Sequence, residues 1–100
     1  MTSPRVEIVY CRQCKFLLRA AWFAQELLSA FEGDVAELAI VPGSGGIFEV
    51  KLDGEVIATN RETHSMPEIG EVKRLIRDRI APGRRIGHED AERQDAGGGM

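Results

Sequence analysis

The stretch Val9-Tyr10-Cys11-Arg12-Gln13-Cys14-Lys15-Phe16-Leu17 holds both cysteines of the chain, three positions apart. It lies where one hydrophobic period gives way to another. Upstream, Arg5 to Tyr10 alternates, with Val6, Ile8 and Tyr10 on one face, the pattern of a strand. Downstream, Leu17, Ala20, Ala21, Ala24, Leu27, Leu28 and Phe31 recur at three-and-four spacing. That predicts an amphipathic helix from Cys14 to Phe31, about five turns long. Glu32-Gly33-Asp34 ends it, with Gly33 suited to a left-handed cap.

A second strand is expected from Val35 to Val41, followed by the loop Pro42-Gly43-Ser44-Gly45-Gly46. Ile47 to Leu52 and Glu55 to Asn60 read as two further strands joined by Asp53-Gly54, a hairpin signal because both turn positions need positive φ. With a tight turn, Val50 faces Ile57 and Phe48 faces Thr59. Ser65 with Glu68 reads as a capping box. Ile69, Val72, Ile76 and Ile80 then form the stripe of a second helix, which Ala81-Pro82-Gly83 ends. The order is β-α-β-β-β-α, with the first βαβ unit parallel and right-handed. Clean alternation in the strands predicts a sheet covered on one face only, both helices lying over Val6, Ile8, Leu38, Ile40, Phe48, Val50 and Ile57. The open face keeps Val9, Ala39, Val41, Ile47 and Val56, which the tail or a second copy of the chain, in a homodimer, would cover.

The 100 residues suffice for one domain, read as 1–83, with 84–100 as a flexible tail poor in apolar residues. A net charge of −3 excludes a dominant basic footprint for nucleic acid. No apolar run approaches the roughly 20 residues of a membrane span. Charge enters at Arg5 and Glu7, so no signal-peptide apolar region is read at the N-terminus and a cytoplasmic location is expected. In such a reducing compartment a close cysteine pair points to redox or metal chemistry.

The expected placement sets Cys11 just past the first strand and Cys14 in the first helical turn. Unpaired N–H groups and the helix dipole favour thiolate there, and Arg12 and Lys15 add positive charge. Sites of this kind lower a cysteine pKa from about 8.5 to about 3.5–7.5. The implied chemistry is thiol–disulfide exchange with a protein or small-molecule partner, using no cofactor beyond the two sulfurs. Geometry favours Cys11 as the more exposed thiol. The bland alternative is two structural cysteines. A zinc site needs four ligands and only His64 and His88 remain as nitrogen donors, so no metal is assigned. A heavy-metal chaperone would add a strand after the second helix and place Met, not Val9, two residues before Cys11. A non-catalytic, redox-regulated binding adaptor is the remaining alternative. Phe16, Trp22 and Phe23 read as core and rim packing or as a docking rim. Lys73, Arg74, Arg77 and Arg79 read as a solvated helix face.

Several of these residues together resemble the selenoprotein W-like family, in its bacterial cysteine-containing form. They are Val9-Tyr10-Cys11-Arg12-Gln13-Cys14, Pro42 with Gly46-Ile47-Phe48-Glu49-Val50, Gly54 and Ile57, and Pro67-Glu68-Ile69 with Arg77 to Gly83. The resemblance implies a thioredoxin-like α+β fold with sheet order 2-1-3-4, and a redox role. It also implies that the position matching Cys14 holds selenocysteine in other members, in conflict with the geometric preference for Cys11; the leading sulfur is left open. In that sheet order the loop from Pro42 to Gly46 borders the cysteines. Pro42, Gly45 and Gly46 are therefore the expected substrate-binding residues, and Val41–Pro42 is a candidate cis peptide.

Overall fold

The computed structural model describes residues 4–62 and 64–82. Its elements are β1 (Arg5–Cys11), α1 (Leu17–Ala30), β2 (Glu37–Gly43), β3 (Phe48–Leu52), β4 (Glu55–Thr59) and α2 (Ile69–Ile80). The sheet order is β2-β1-β3-β4. β1 and β2 are parallel, and the other two pairings are antiparallel. This is the thioredoxin-like arrangement expected, with both helices on one face. The expected tail and His88 lie outside the described residues.

Alternation along β1 buries Val6, Ile8 and Tyr10, and along β3 Phe48, Val50 and Leu52. Ala20, Phe23, Ala24 and Leu27 of α1 and Ile69, Val72 and Ile76 of α2 close over them. Phe48 is the centre of this core. Phe23 meets it edge-on at 5.0 Å and Phe16 at 6.2 Å between ring centroids. Such pairs add about 0.5–1.5 kcal/mol beyond the area they bury.

The elements depart from the sequence reading in five places. α1 starts at Leu17 rather than Cys14, because Lys15 adopts φ +61°, which a right-handed helix cannot contain. The helix is also rotated: Phe23 enters the core, while Leu17 and Leu28, expected inside, are exposed. β2 begins and ends two residues late, so Pro42 and Gly43 belong to the strand; Pro42 is tolerated because β2 is an edge strand. Its Ile40, expected in the core, lies exposed at that edge. No capping box forms at Ser65: Glu68 is extended at ψ 142° and α2 turns in only after it, without a side-chain cap. No cis peptide occurs among the described residues, Val41–Pro42 included.

The fifth departure shapes the site. The Asp53-Gly54 turn pairs Leu52 with Glu55 and Lys51 with Val56, as a tight turn should. The register then shifts, pairing Val50 with Ala58 and Glu49 with Thr59. Ile57 is the extra residue of a β-bulge. Val50 therefore does not face Ile57. The residue bonded to the backbone of Phe48 is Asn60, not Thr59.

The basic run on α2 is a solvated face only in part: Arg79 is exposed, Arg74 and Arg77 are half-buried, and Lys73 is buried. The Lys73 ammonium is buried between the helices and meets Glu26 Oε1 of α1 at 2.8 Å, with side-chain exposures of 3% and 35%. Arg79 grips Glu55 of β4 through two bonds of 2.9 and 3.1 Å, and Arg77 pairs with Asp78. The chain of contacts from α1 to α2 to β4 thus includes charges as well as apolar packing. Removing one partner of a sealed ion pair costs about 3–5 kcal/mol, because a buried charge is left alone. Glu26 is partly solvated, so Glu26→Gln is expected to cost less, about 1–2 kcal/mol. Lys73→Met, which removes the buried charge itself, should be near neutral. Urea denaturation of both variants checks the ordering; equal losses would overturn it.

Candidate functional site

β2 and β3 flank β1, and β2 runs parallel to it. The connection from β2 to β3 must therefore cross the end of β1. That end is Cys11, and the crossing residues are Ser44 to Ile47. Gly45 and Gly46 both take positive φ, +76° and +80°, which lets the chain reverse in so short a span. No atom lies within 4 Å of where a Cβ would stand on either, so their role is conformational rather than one of close packing.

Gly43 is the opposite case. It stands in register with Cys11, and its carbonyl accepts the Arg12 N–H at 3.2 Å, carrying the parallel ladder one step past the strand. A Cβ there would lie 3.1 Å from both Ile47 Cγ2 and Val9 Cγ1. Strand alternation gives Gly43 the face of Cys11, opposite the helices, and gives Pro42 the face of Tyr10. Of the expected substrate-binding residues, Gly45 and Gly46 thus come to the cysteine end of β1, and Pro42 sits on the other face.

The cysteine turn closes through Lys15 N–H to the Arg12 carbonyl at 3.2 Å and Phe16 N–H to the Cys11 carbonyl at 3.4 Å. Both thiols are free. Their exposure reverses the sequence expectation: Cys11 is 1% exposed, and Cys14 is the exposed sulfur. The reason is local. Cys11 is still in the strand, under the glycine crossing, whereas the left-handed Lys15 holds Cys14 on an outward turn ahead of the helix.

The two thiols titrate as a pair. Cys11 is held below the ordinary thiol range, first by a hydrogen bond from Cys14, then by the N–H groups of Gly46, Cys14 and Gln13 against an opposing cost of burial. Cys14 is pushed up, first by its bond to Cys11, then by burial and by the charge of Cys11, while the Gly46 N–H draws it down. The Cys11 Sγ also lies 3.6 Å from Gln13 Oε1. Stabilisation of thiolate thus comes first from the neighbouring Cys14 thiol and then from turn and loop amides. It does not come from a helical first turn, which begins only at Leu17. Arg12 and Lys15 are exposed, where their field is screened. Among the described residues no group of three or more His, Cys, Asp or Glu could hold a metal. None of the helices described is long and apolar enough to cross a membrane.

Sequence reasoning missed two residues here. Gly43 was hidden inside a glycine-rich segment that reads as plain loop. Asn60 was hidden by the bulge: its Nδ2 donates to the Gly46 carbonyl at 2.7 Å and its Oδ1 accepts the Phe48 N–H at 2.9 Å. On the neighbouring strand Glu49, nearly buried, accepts the Thr59 hydroxyl at 3.0 Å and pairs with Arg61 at 3.2 Å. Phe16 and Phe23 pack inward, and Leu17, Leu18 and Trp22 remain exposed beside the cysteine turn and along α1.

A protein from Bordetella parapertussis with a crystal structure is 44% identical and superimposes with a TM-score of 0.76, covering 79% of this chain and all of its own. A selenoprotein W-related protein from Vibrio cholerae is 38% identical with a TM-score of 0.73, covering 77% of this chain and 96% of its own. No curated protein matches at a significant level. The Rdx family matches residues 5–78, a span that includes the cysteine turn, the glycine crossing, Asn60 and nearly all of α2. By that match and these likenesses, the chain belongs to the Rdx family of selenoprotein W-related proteins.

Proposed function

We propose that the chain is a thiol–disulfide oxidoreductase working through Cys11 and Cys14. The observation that carries this reading is the asymmetry of the pair. An exposed thiol stands three residues from a covered one, and its proximity together with the backbone amides favours charge on the covered sulfur. Membership in a selenoprotein W-related family supports a redox role.

Accessibility assigns the order of events. A substrate disulfide R–S–S–R′ can meet Cys14 and cannot reach Cys11. The Cys14 proton passes along the S–H···S⁻ bond to Cys11, leaving thiolate on Cys14. That thiolate attacks one substrate sulfur; the Cys14–S–S–R bond forms, the S–S bond of the substrate breaks, and R′S⁻ departs and takes the proton from Cys11. The Cys11 thiolate, again stabilised by the N–H groups of Gly46, Cys14 and Gln13, then attacks Cys14 Sγ and expels RS⁻. Two electrons reach the substrate, and the chain is left as the Cys11–Cys14 disulfide. A dithiol reductant restores it by the reverse exchange. In this reading Cys14 is the nucleophile, Cys11 is first base and then resolving thiol, and Gly45 and Gly46 border the incoming disulfide. The substrate is a protein or small-molecule disulfide. The exposed Leu17 and Leu18 favour a second reading, a redox-regulated adaptor with an apolar contact beside Cys14; the two readings differ in turnover.

Catalytic reduction of a model disulfide with dithiothreitol as reductant tests the proposal. Cys14→Ser should abolish turnover, and Cys11→Ser should accumulate a mixed disulfide on Cys14 that mass spectrometry detects. A wild-type protein that binds partners but never turns over would leave the adaptor. The titration has a sign of its own, read from the ultraviolet absorbance of thiolate against pH. The wild-type pair should lose its first proton below the usual thiol value of about 8.5. Cys14→Ala removes the donor to Cys11, so the Cys11 midpoint should rise. Cys11→Ala removes the neighbour that holds Cys14 up, so the Cys14 midpoint should fall. Shifts in the same direction would break the shared-proton account.

A further inference from the structure

We infer that Asn60 is a positioning residue for the dithiol: its side chain anchors the Gly46 carbonyl, and so holds the glycine crossing in place over the end of β1 where the cysteines lie. This rests on the reading of the cysteine pair as the redox centre, but its argument is geometric.

The crossing over β1 contains two consecutive glycines at positive φ, with open space where their side chains would be. Nothing in their own packing fixes the direction of the crossing, and glycine is the residue with the widest backbone freedom. The direction must be imposed from outside. Asn60 Nδ2 donates to the Gly46 carbonyl at 2.7 Å. The same side chain accepts the Phe48 N–H at 2.9 Å, and the Asn60 N–H donates to the Phe48 carbonyl at 3.1 Å. Phe48 is fully buried against Phe23 and Phe16. The glycine crossing is thereby tied, through one carboxamide, to the aromatic centre of the core. The amide has one orientation that works, since the Gly46 carbonyl can only accept and the Phe48 N–H can only donate.

The place of Asn60 is itself built. Without the bulge at Ile57 the residue opposite Phe48 would be Thr59, whose hydroxyl bonds Glu49 instead. A single hydroxyl has one donor and lacks the span of a carboxamide. The bulge therefore delivers a side chain with separate donor and acceptor ends to the one site where both are needed. On the sulfur side, the Gly46 N–H favours charge on Cys11 and on Cys14 alike. Loosening it should reduce thiolate on the pair as a whole.

Asn60→Asp is the discriminating variant. It keeps an oxygen for the Phe48 N–H, and so the strand contact, but removes the donor to Gly46. Asn60→Ala removes both. For each variant, three quantities are measured: melting temperature, the thiolate absorbance midpoint, and the equilibrium of the Cys11–Cys14 disulfide against dithiothreitol. Both variants should show a higher midpoint and less thiolate at pH 7, by about three- to tenfold for one weakened charge-assisted bond. The equilibrium should move toward the disulfide by a similar factor, because the reduced form loses its stabilised thiolate. Asn60→Ala should melt lower than Asn60→Asp. If Asn60→Ala does not fold, the Asn60→Asp titration decides alone. A lowered melting temperature with midpoint and disulfide equilibrium unchanged overturns the proposal and leaves Asn60 a structural residue. None of these readouts needs a substrate. A wild-type protein without reductase turnover would sink the oxidoreductase reading and leave the Asn60 effect standing; an active wild type with an unmoved Asn60→Asp sinks only the latter.

Discussion

The site depends on a topological constraint. A strand pair that runs parallel, β1 with β2, ends on one side of the sheet, and the chain must pass from β2 to β3 on the far side of β1. The short path crosses directly over the last residue of β1. Whatever residue stands there is covered by backbone, and a covering backbone offers amides. Cys11 is that residue. A sulfur so placed gains hydrogen-bond donors from a loop that exists for reasons of connectivity, with the loop glycines supplying the turn. The same crossing explains why Gly43 has no room for a side chain: Ile47, as the chain re-enters the sheet, packs down beside it.

The sequence was legible where a local rule sufficed. Alternation located β1 and β3, Asp53-Gly54 located the hairpin turn, and the resemblance carried by the cysteine and Gly46-to-Val50 segments supplied the strand order. It was illegible where two rules competed or where contact is remote. Leu17, Ala20, Ala21 and Ala24 extend a helical period smoothly back to Cys14, and only the left-handed φ of Lys15 interrupts it. Lysine gives no warning of that conformation, which costs an L-residue about 1–2 kcal/mol. The error then reversed the two cysteines, since a sulfur in a helical first turn and one on an outward turn have different exposures. The bulge at Ile57 has no marker in an alternating strand. Asn60 and Gly46 are separated by 14 positions, and a bond across that gap cannot be read from either neighbourhood.

Charge placement shows the same limit. Lys73, Arg74, Arg77 and Arg79 look alike in a sequence, as four cations on one helix. Folding sorts them by what lies opposite: Glu26 reaches Lys73 from α1, and Glu55 reaches Arg79 from β4. The first is buried at its lysine end and partly solvated at Glu26, and the second is solvated. The buried pair can therefore specify how α1 and α2 meet, while the surface pair contributes little.

The division between a covered and an exposed sulfur has a chemical logic. In the proposed exchange two equally exposed thiols would each capture substrate, whereas covering Cys11 leaves Cys14 as the point of attack. Covering alone would also raise its pKa and slow resolution, since desolvation disfavours thiolate. The Cys14 side chain and the amides of Gly46, Cys14 and Gln13 oppose that cost at the covered sulfur, the one that would attack in the second step of the proposed exchange. In the proposed exchange, the exposed Cys14 would depend on its neighbour to accept a proton, and the first step would rest on the geometry that holds Cys11 beneath the glycine crossing.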